Sequence, residues 1–370
     1  MLIFAMVTKQ KKIIVSVTND LCTDQRVHKV CTSLQSNGYR VLLLGRKLSS
    51  SPEIENRTYT TRRFSLLFHK GPLFYLNYNL RLLLYLIFNS FDILLSNDLD
   101  TLTANFIASK IKNKPLVYDS HEYFTEVPEL IDRKRVQQIW EKLEAWMLPK
   151  VKHSYTVSAK IAAVYHQKYS IDMEVIRNFP SKKTIISNKE DQKIIVYQGA
   201  LNIGRGLEEL IEAMQFVEDA KLKIAGDGDI ALELKSLLAK YNLEDKVSFL
   251  GRLSILKLHE LTQKASLGVS LEKELGLNYK YAVPNKIFDY IQAGVPVLYS
   301  PLVEVVSLLN NYLVGEQLMS HEPISIARQI NEMLISDKRE LWKSECLRAA
   351  SIYNWEEEEK KLLNLFGRIG

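Results

Sequence analysis

The sequence predicts an α/β protein made of two doubly wound domains, each a parallel sheet with helices on both faces. Short, continuous apolar runs alternate with helix-period segments along the whole chain. Strands that are apolar throughout belong to parallel sheets covered on both sides. The alternation lapses once, around residues 176–193, and then restarts. At 370 residues the chain is too long for one ordinary core and suits two domains.

In the first half, KIIVSVT (12–18) reads as a strand, and a helix follows through DQRVHKVCTSLQSNG, stopped at Gly38. YRVLLLG (39–45), FDILLSND (91–98), KPLVYDS (114–120) and HSYTVS (153–158) read as further strands with helices between them. The segment FYLNYNLRLLLYLIFNSFDILL (74–95) is interrupted by Arg81 and by asparagines 77, 79 and 89, so it reads as a buried helix running into a strand rather than a span. Pro180, serines and mixed charges mark a linker. Beyond it IIVYQGAL, AKLKIAG, KVSFLG, LGVSL and VPVLYS are strands, separated by helices from Leu207, from Ile230, across KLHELTQKA and from Pro284. Pro284 suits a first helical position, and Gly294 suits the stop. YNWEEEEKKLLNLFGRI reads as an amphipathic helix whose Glu356–Glu359 run is a solvated face. The expected divisions are 1–177 for a Rossmann-like acceptor domain, 178–192 for the linker, 193–352 for a Rossmann-like nucleotide-binding domain, and 353–370 for a helix crossing back toward the first domain.

The formal net charge of +6 favours anionic partners such as nucleotides, phosphates or an anionic membrane surface. It is too small, without an aromatic-basic repeat, to indicate a nucleic-acid binder. Cys22, Cys31 and Cys346 lack metal-ligand spacing, and an odd, sparse count suits a reducing cytoplasm. The N-terminal MLIFAMVTKQKK has an apolar start but no preceding basic region and no small-residue cleavage site, so no signal peptide is expected. Residues 62–75 mix Arg62, Arg63, His69 and Lys70 with aromatics and suggest peripheral contact with an anionic membrane.

Ligands of open α/β sheets bind beyond the carboxyl ends of the strands, in this case in a cleft between two facing domains. After IIVYQG the turn ALNIGRG carries Gly199, Gly204, Arg205 and Gly206, where glycines allow close approach and an Arg can fork onto phosphate. AKLKIAG leads through Gly226 to Asp227-Gly228-Asp229, and KVSFL leads to Gly251-Arg252. In PNKIFDYIQAGVPV (284–297) the N–H groups of Asn285, Lys286 and Ile287 open a helix and attract anions. Lys286 adds positive charge, and Asp289, one turn on, can accept from a ribose diol. In the first half Asn19 and Asp20 lie in the turn after the first strand, and Asp24 suits a helix cap. Asn97-Asp98 and Asp119-Ser120-His121-Glu122 lie at two further strand tips. DGD at 227–229 reads as a glycine turn, and no DxD-type cluster asks for a metal.

YQGALNIGRGLEELIEAM, KLKIAGDGD, VSFLGRL, LGVSL and VPNKIFDYIQAGVPVL occur in the order and spacing of a known family, as do SVTNDLCTDQRVHKV, SNDLDTL and VYDSHEYFTEVPEL. The chain resembles, over nearly its whole length, the retaining GT-B-fold glycosyltransferases of family 4, near members that build bacterial surface polysaccharides. The resemblance implies transfer of a sugar from a UDP- or GDP-sugar to the hydroxyl of a glycan or lipid-linked acceptor, in the cytoplasm or at the inner membrane face, with no cofactor and no metal. It implies a diphosphate site at Gly204, Arg205, Asn285 and Lys286, and a nucleotide site at Asp289, Gly226 and Arg252. The family often has a second cation where Ala200 stands, and Lys286 is the candidate replacement. It often has two glutamates separated by seven residues; Asp289 falls at the second position and Tyr281 at the first. Glu272 or Glu274 then supplies the acid toward the donor sugar. His121, with Asp98, is expected beside the reacting sugar, and Asn19 and Asp20 on the acceptor side. Two other readings remain at this point: a nucleotide-sugar epimerase of the same fold, and a non-catalytic nucleotide-sugar or glycan binder.

Overall fold

The computed structural model describes residues 10–22, 24–49, 51–54, 56–127, 130, 133–183 and 192–369. Residues 1–9, which hold most of the apolar N-terminal start, and 184–191 of the expected linker lie outside the described residues. The chain divides into two compact units, one of Met1–Arg177 with Glu358–Gly370, the other of Asn178–Glu357.

In the first unit the strands are β1 (Lys12–Asp20), β2 (Arg40–Lys47), β3 (Thr60–Ser65), β4 (Ile93–Asn97), β5 (Leu116–Ser120), β6 (His153–Thr156) and β7 (Glu174–Val175). They form one parallel sheet in the order β3-β2-β1-β4-β5-β6-β7. Consecutive residues Ile13, Ile14 and Val15 of β1 are fully buried, so both faces of the sheet are covered. Asp24 caps the first helix, Gln25–Ser36, by accepting from the Val27 N–H. The helix Gly71–Phe88 buries Phe74, Tyr78, Leu82 and Leu86 on one face and leads into β4. Tyr78 pins it to the sheet by donating to the Val17 carbonyl at 2.6 Å. Among the described residues no helix is long and apolar enough to cross a membrane.

In the second unit β8 (Lys193–Gln198), β9 (Ala220–Ala225), β10 (Val247–Gly251), β11 (Leu267–Ser270), β12 (Val297–Tyr299) and β13 (Gly315–Gln317) form a parallel sheet ordered β10-β9-β8-β11-β12-β13. Along β8 the core alternates: Ile195 and Tyr197 join one apolar cluster, Val196 the other. Each fully buried aliphatic side chain of this kind contributes about 1.5–3 kcal/mol.

Two expectations need correction. Pro284 is extended (ψ 118°) and caps the helix Asn285–Gln292 rather than being its first residue; its carbonyl accepts from Ile287. The Glu356–Glu359 run is not a uniformly solvated face. Glu358 is buried, where its carboxylate accepts from the Arg177 N–H at 2.9 Å and pairs with Lys361 at 2.8 Å. Burial of a carboxylate is tolerable when its lone pairs are filled in this way.

Candidate functional site

In each sheet the strand order reverses direction at one point, between β1 and β4 in the first unit and between β8 and β11 in the second. A crevice opens at the carboxyl ends of strands at such a point. In the second unit it is a pocket of about 280 Å³ lined by Gln198, Gly199, Ala200, Arg205, Pro284, Asn285, Lys286 and Asp289, with Leu258 at one side. Three of the four residues expected at a diphosphate and the acid expected at a ribose thus meet in one place.

Packing positions them. The helix Asn285–Gln292 is held against the sheet by Tyr290, whose ring fills the space that a side chain on Gly268 would need, a Cβ there falling 2.4 Å from the ring. The Tyr290 hydroxyl accepts from the Gln198 N–H at 3.2 Å and faces the Val196 and Val269 carbonyls. Lys286 and Asp289 ride on this helix, whose first residues, Asn285 and Lys286, line the pocket; the Ile287 N–H, also expected to be free for an anion, donates to the Pro284 carbonyl at 3.2 Å. Gln198, at the end of β8, donates to Asp289 at 2.8 Å and accepts from Thr262 at 2.8 Å, which fixes the carboxylate.

Beneath the pocket lies a charge cluster that the linear sequence does not show. Lys286 is buried and contacts Glu272 at 2.5 Å, while the Arg205 guanidinium lies 3.5 Å from the same carboxylate oxygen. Ser270 donates to the other oxygen at 2.6 Å. Burial alone would push the Glu272 carboxyl up; Lys286 and Arg205 overcome it and hold the group below the usual carboxylate range. Lys286 also lies 4.3 Å from the Tyr197 ring centroid, and Arg205 lies 5.1 Å from that of Tyr279. Arg205 Nε is buried with no hydrogen-bond partner. Two cations, Arg205 and Lys286, and two carboxylates, Glu272 and Asp289, thus stand at the pocket and balance in its empty state.

The other expected residues fall around this centre. Gly204 (φ +83°) accepts from the Lys273 N–H, and Leu275 fills the space beside it, so the turn is locked to the loop that carries Glu272. Gly226 (φ +150°) packs on the Gly199 carbonyl, which a Cβ would approach to 1.8 Å, and supports that turn from behind without lining the pocket itself. Arg252 is exposed, 3.6 Å from Asp227, and does not line the pocket. Glu274 is exposed with Lys280 at 3.9 Å and does not line it either. Gln198 and Tyr197 were not expected; the only signal was a polar residue directly before Gly199.

In the first unit the tips of β4 and β5 carry a second cluster. His121 Nε2 lies 3.0 Å from Asp119 and 3.2 Å from Asn97 Oδ1, and its Nδ1 lies 3.2 Å from Asp98. Its N–H donates to Asp98 at 2.8 Å. Asp98 holds a φ of +57°, a strained value for a residue with a side chain. Arg26, which had no local signal, grips both oxygens of the fully buried Asp119 at 2.7 and 3.2 Å. Burial raises Asp119, but Arg26 and His121 bring it down to about 2. Burial lowers His121, but Asp98 and Asp119 carry it up to about 9. Burial pushes Asp98 up to about 8 against the pull of His121, so the two titrate as a pair. At the tip of β1, Asp20 is engaged by Ser51 and by Arg63 at 3.3 Å, while Asn19 is exposed and donates to Asp24 at 3.3 Å.

Two family models meet in this chain: Glycosyltransferase Family 4 over residues 24–179 and Glycosyl transferases group 1 over residues 178–345. A curated relative, an uncharacterized glycosyltransferase of Methanocaldococcus jannaschii, is 26% identical over 187 residues, 48% of this chain and 46% of its own length. The match therefore spans about half of that relative. Among solved structures, a sucrose-phosphate synthase of Thermosynechococcus elongatus is similar with a TM-score of 0.81 at 17% identity, covering 97% of this chain and 99% of its own. Anabaena HepE in complex with UDP-glucose is similar with a TM-score of 0.77 at 15% identity, covering 97% and 100%. S. aureus TarM in complex with fondaparinux, alpha-GlcNAc-glycerol and UDP is similar with a TM-score of 0.73 at 12% identity, covering 96% and 100%. At these identities the structures speak to the fold. With the two family models together spanning residues 24–345 and two parallel sheets of seven and six strands, the chain belongs to the GT-B-fold glycosyltransferases, group 1 and family 4.

Proposed function

We propose that the protein transfers a sugar from a nucleoside-diphosphate sugar, a UDP- or GDP-sugar, to an acceptor hydroxyl with retention of anomeric configuration, in the cytoplasmic synthesis of a polysaccharide, lipopolysaccharide or glycolipid. The observation that carries this reading is the pocket at the end of β8, where Arg205, Lys286 and a helix N-terminus face the same space as Asp289. Two linked phosphoryl groups match the cations, and a ribose diol matches the carboxylate held by Gln198. The HepE and TarM complexes, which hold UDP-glucose and UDP, support the choice of donor. Three unbridged cysteines suit a reducing compartment.

In the transfer, the bond between the anomeric carbon and the diphosphate oxygen breaks, and negative charge grows on the leaving phosphate. Arg205, Lys286 and the helix N–H groups stabilise that charge more in the transition state than in the ground state. The acceptor oxygen bonds to the anomeric carbon from the face the leaving group vacates, and its proton passes to the leaving phosphate. His121, held as a cation between Asp98 and Asp119, and Asp98 itself serve the reacting sugar in the first unit, with Asn19 and Asp20 toward the acceptor. Glu272, turned onto Lys286 and Arg205, sets the phosphate-binding cations.

Incubation with UDP- and GDP-sugars tests the reading. Release of nucleoside diphosphate, stimulated by an acceptor glycan or glycolipid and abolished in Arg205→Ala, supports it. Saturable binding without release, or isomerisation of the sugar without an acceptor, overturns it.

A further inference from the structure

The charges at the pocket balance before anything enters it, Arg205 and Lys286 against Glu272 and Asp289. On the reading proposed above, which this inference rests on, the pocket takes a nucleoside-diphosphate sugar. Each of its two phosphates carries a negative charge throughout the neutral pH range. The start of the helix Asn285–Gln292 offsets about half a charge. The balance still turns negative, and a group buried under such an excess gives up its own charge by binding a proton.

Glu272 is the group placed to do so. It is buried beneath the pocket, and both cations meet it on one oxygen, Lys286 at 2.5 Å and Arg205 at 3.5 Å. The same two side chains line the pocket, so phosphate oxygens compete with Glu272 for them. As they turn to the ligand, the attraction that holds Glu272 ionised is withdrawn and its burial remains. The second oxygen has a partner ready for a proton. Ser270 donates to it at 2.6 Å, and a hydroxyl can reverse and accept instead.

The remaining described groups around Glu272 are engaged. Asp289 has the Gln198 amide as its donor at 2.8 Å, a neutral group that phosphates do not draw off. Tyr197 donates to the Ala200 carbonyl at 2.8 Å and Tyr279 to the Ile203 carbonyl at 3.2 Å. Tyr290 faces two backbone carbonyls, and burial holds its hydroxyl well above the ordinary range. Lys273 pairs with Glu209, and His321 Nε2 lies 3.2 Å from the Leu271 carbonyl.

We infer that Glu272 takes up a proton from solvent as the diphosphate enters, so that the donor binds together with a proton. The new O–H points to Ser270, and Lys286 and Arg205 are released to the phosphates. Affinity then rises as pH falls, because the bound state holds the extra proton.

Isothermal titration of the full chain with UDP-glucose and with GDP-glucose, each in two buffers of different ionisation heat, tests it. Neither ligand titrates near neutral pH, so a proton that leaves the buffer goes to the protein. Uptake of up to one proton per ligand is expected at about pH 6. Affinity should fall by up to about tenfold per pH unit as pH rises. Difference infrared spectra should show a carboxylate band lost and a protonated carboxyl band gained on binding. Glu272→Gln, which has no charge to neutralise, should bind without uptake and with a flat pH profile. The infrared spectra of the wild type decide the question if that variant does not fold. Binding without proton uptake, with or without Mg²⁺ in its place, overturns the inference and leaves the donor reading standing. So does uptake that persists in Glu272→Gln. Failure of both sugar nucleotides to bind at any pH removes the donor reading, and this inference with it.

Discussion

Lys286 and Glu272, fourteen residues apart, form a buried ion pair at 2.5 Å beneath the pocket, and Arg205 shares the same carboxylate oxygen at 3.5 Å. The pair orients two cations toward a space that can hold an anion without leaving either one uncompensated when that space is empty. Removing one member of a buried pair strands the other charge. Glu272→Gln should therefore cost about 3–5 kcal/mol of stability in the second unit. A diphosphate supplies the missing negative charge, so UDP should raise the melting temperature of Glu272→Gln more than that of the wild type. Differential scanning calorimetry with and without UDP checks both parts.

Asp289 and Arg205 answer for different parts of the same ligand. Losing a hydrogen bond to a charged group costs about 1.5–3 kcal/mol, roughly ten- to a hundredfold in affinity. Asp289→Asn should weaken UDP by that factor but leave pyrophosphate binding unchanged. Arg205→Ala should weaken both. Isothermal titration with each ligand separates the two.

The His121 cluster predicts a pH dependence. His121 titrates at about 9 in the fold against an ordinary 6.5, and Asp98 is also raised. Both shifts have the same sign, because the folded state holds the proton more tightly than the unfolded chain. The stability linked to His121 is complete below about pH 6.5 and is lost as pH rises through about 9, and that linked to Asp98 is complete only below about 3.8 and is lost as pH rises through about 8. Thermal melts from pH 6.5 to 9.5 should show a falling melting temperature in the wild type and a flatter profile in His121→Asn.

Gly226 cannot carry a side chain. A Cβ would meet the Gly199 carbonyl at 1.8 Å, with a backbone φ of +150°. Gly226→Ala should cost more than about 3 kcal/mol, since strain and a backbone clash add. Chemical denaturation of the purified variant measures this.

Much of the fold was legible because local signals agreed. Ten of the strands were readable as apolar runs, and the glycines at 38 and 294 lie just past the ends of the helices they were expected to stop. The exceptions β3, β7 and β13 lie at or toward the sheet edges. β3, TTRRFS, buries only Phe64, so it had no apolar run to read. The pocket was legible in part: Arg205, Asn285, Lys286 and Asp289 sit at strand ends and a helix start, where position alone points to a ligand. The supporting residues were not. Gln198 reaches Asp289 across 91 positions and Arg26 reaches Asp119 across 93, contacts that only strand order creates. Glu272 was expected toward a sugar; its contacts with Lys286 and Arg205, made through a loop locked by Gly204 and Leu275, had no signal in the sequence.

The central claim is that the pocket at the end of β8 receives a nucleoside diphosphate. A crystal structure of the chain grown with UDP tests it most directly. The account predicts phosphate oxygens within hydrogen-bond distance of Arg205, Lys286 and the N–H groups that open the helix Asn285–Gln292, with the ribose on Asp289. UDP bound at any other place, with this pocket still closed over Glu272, would contradict it.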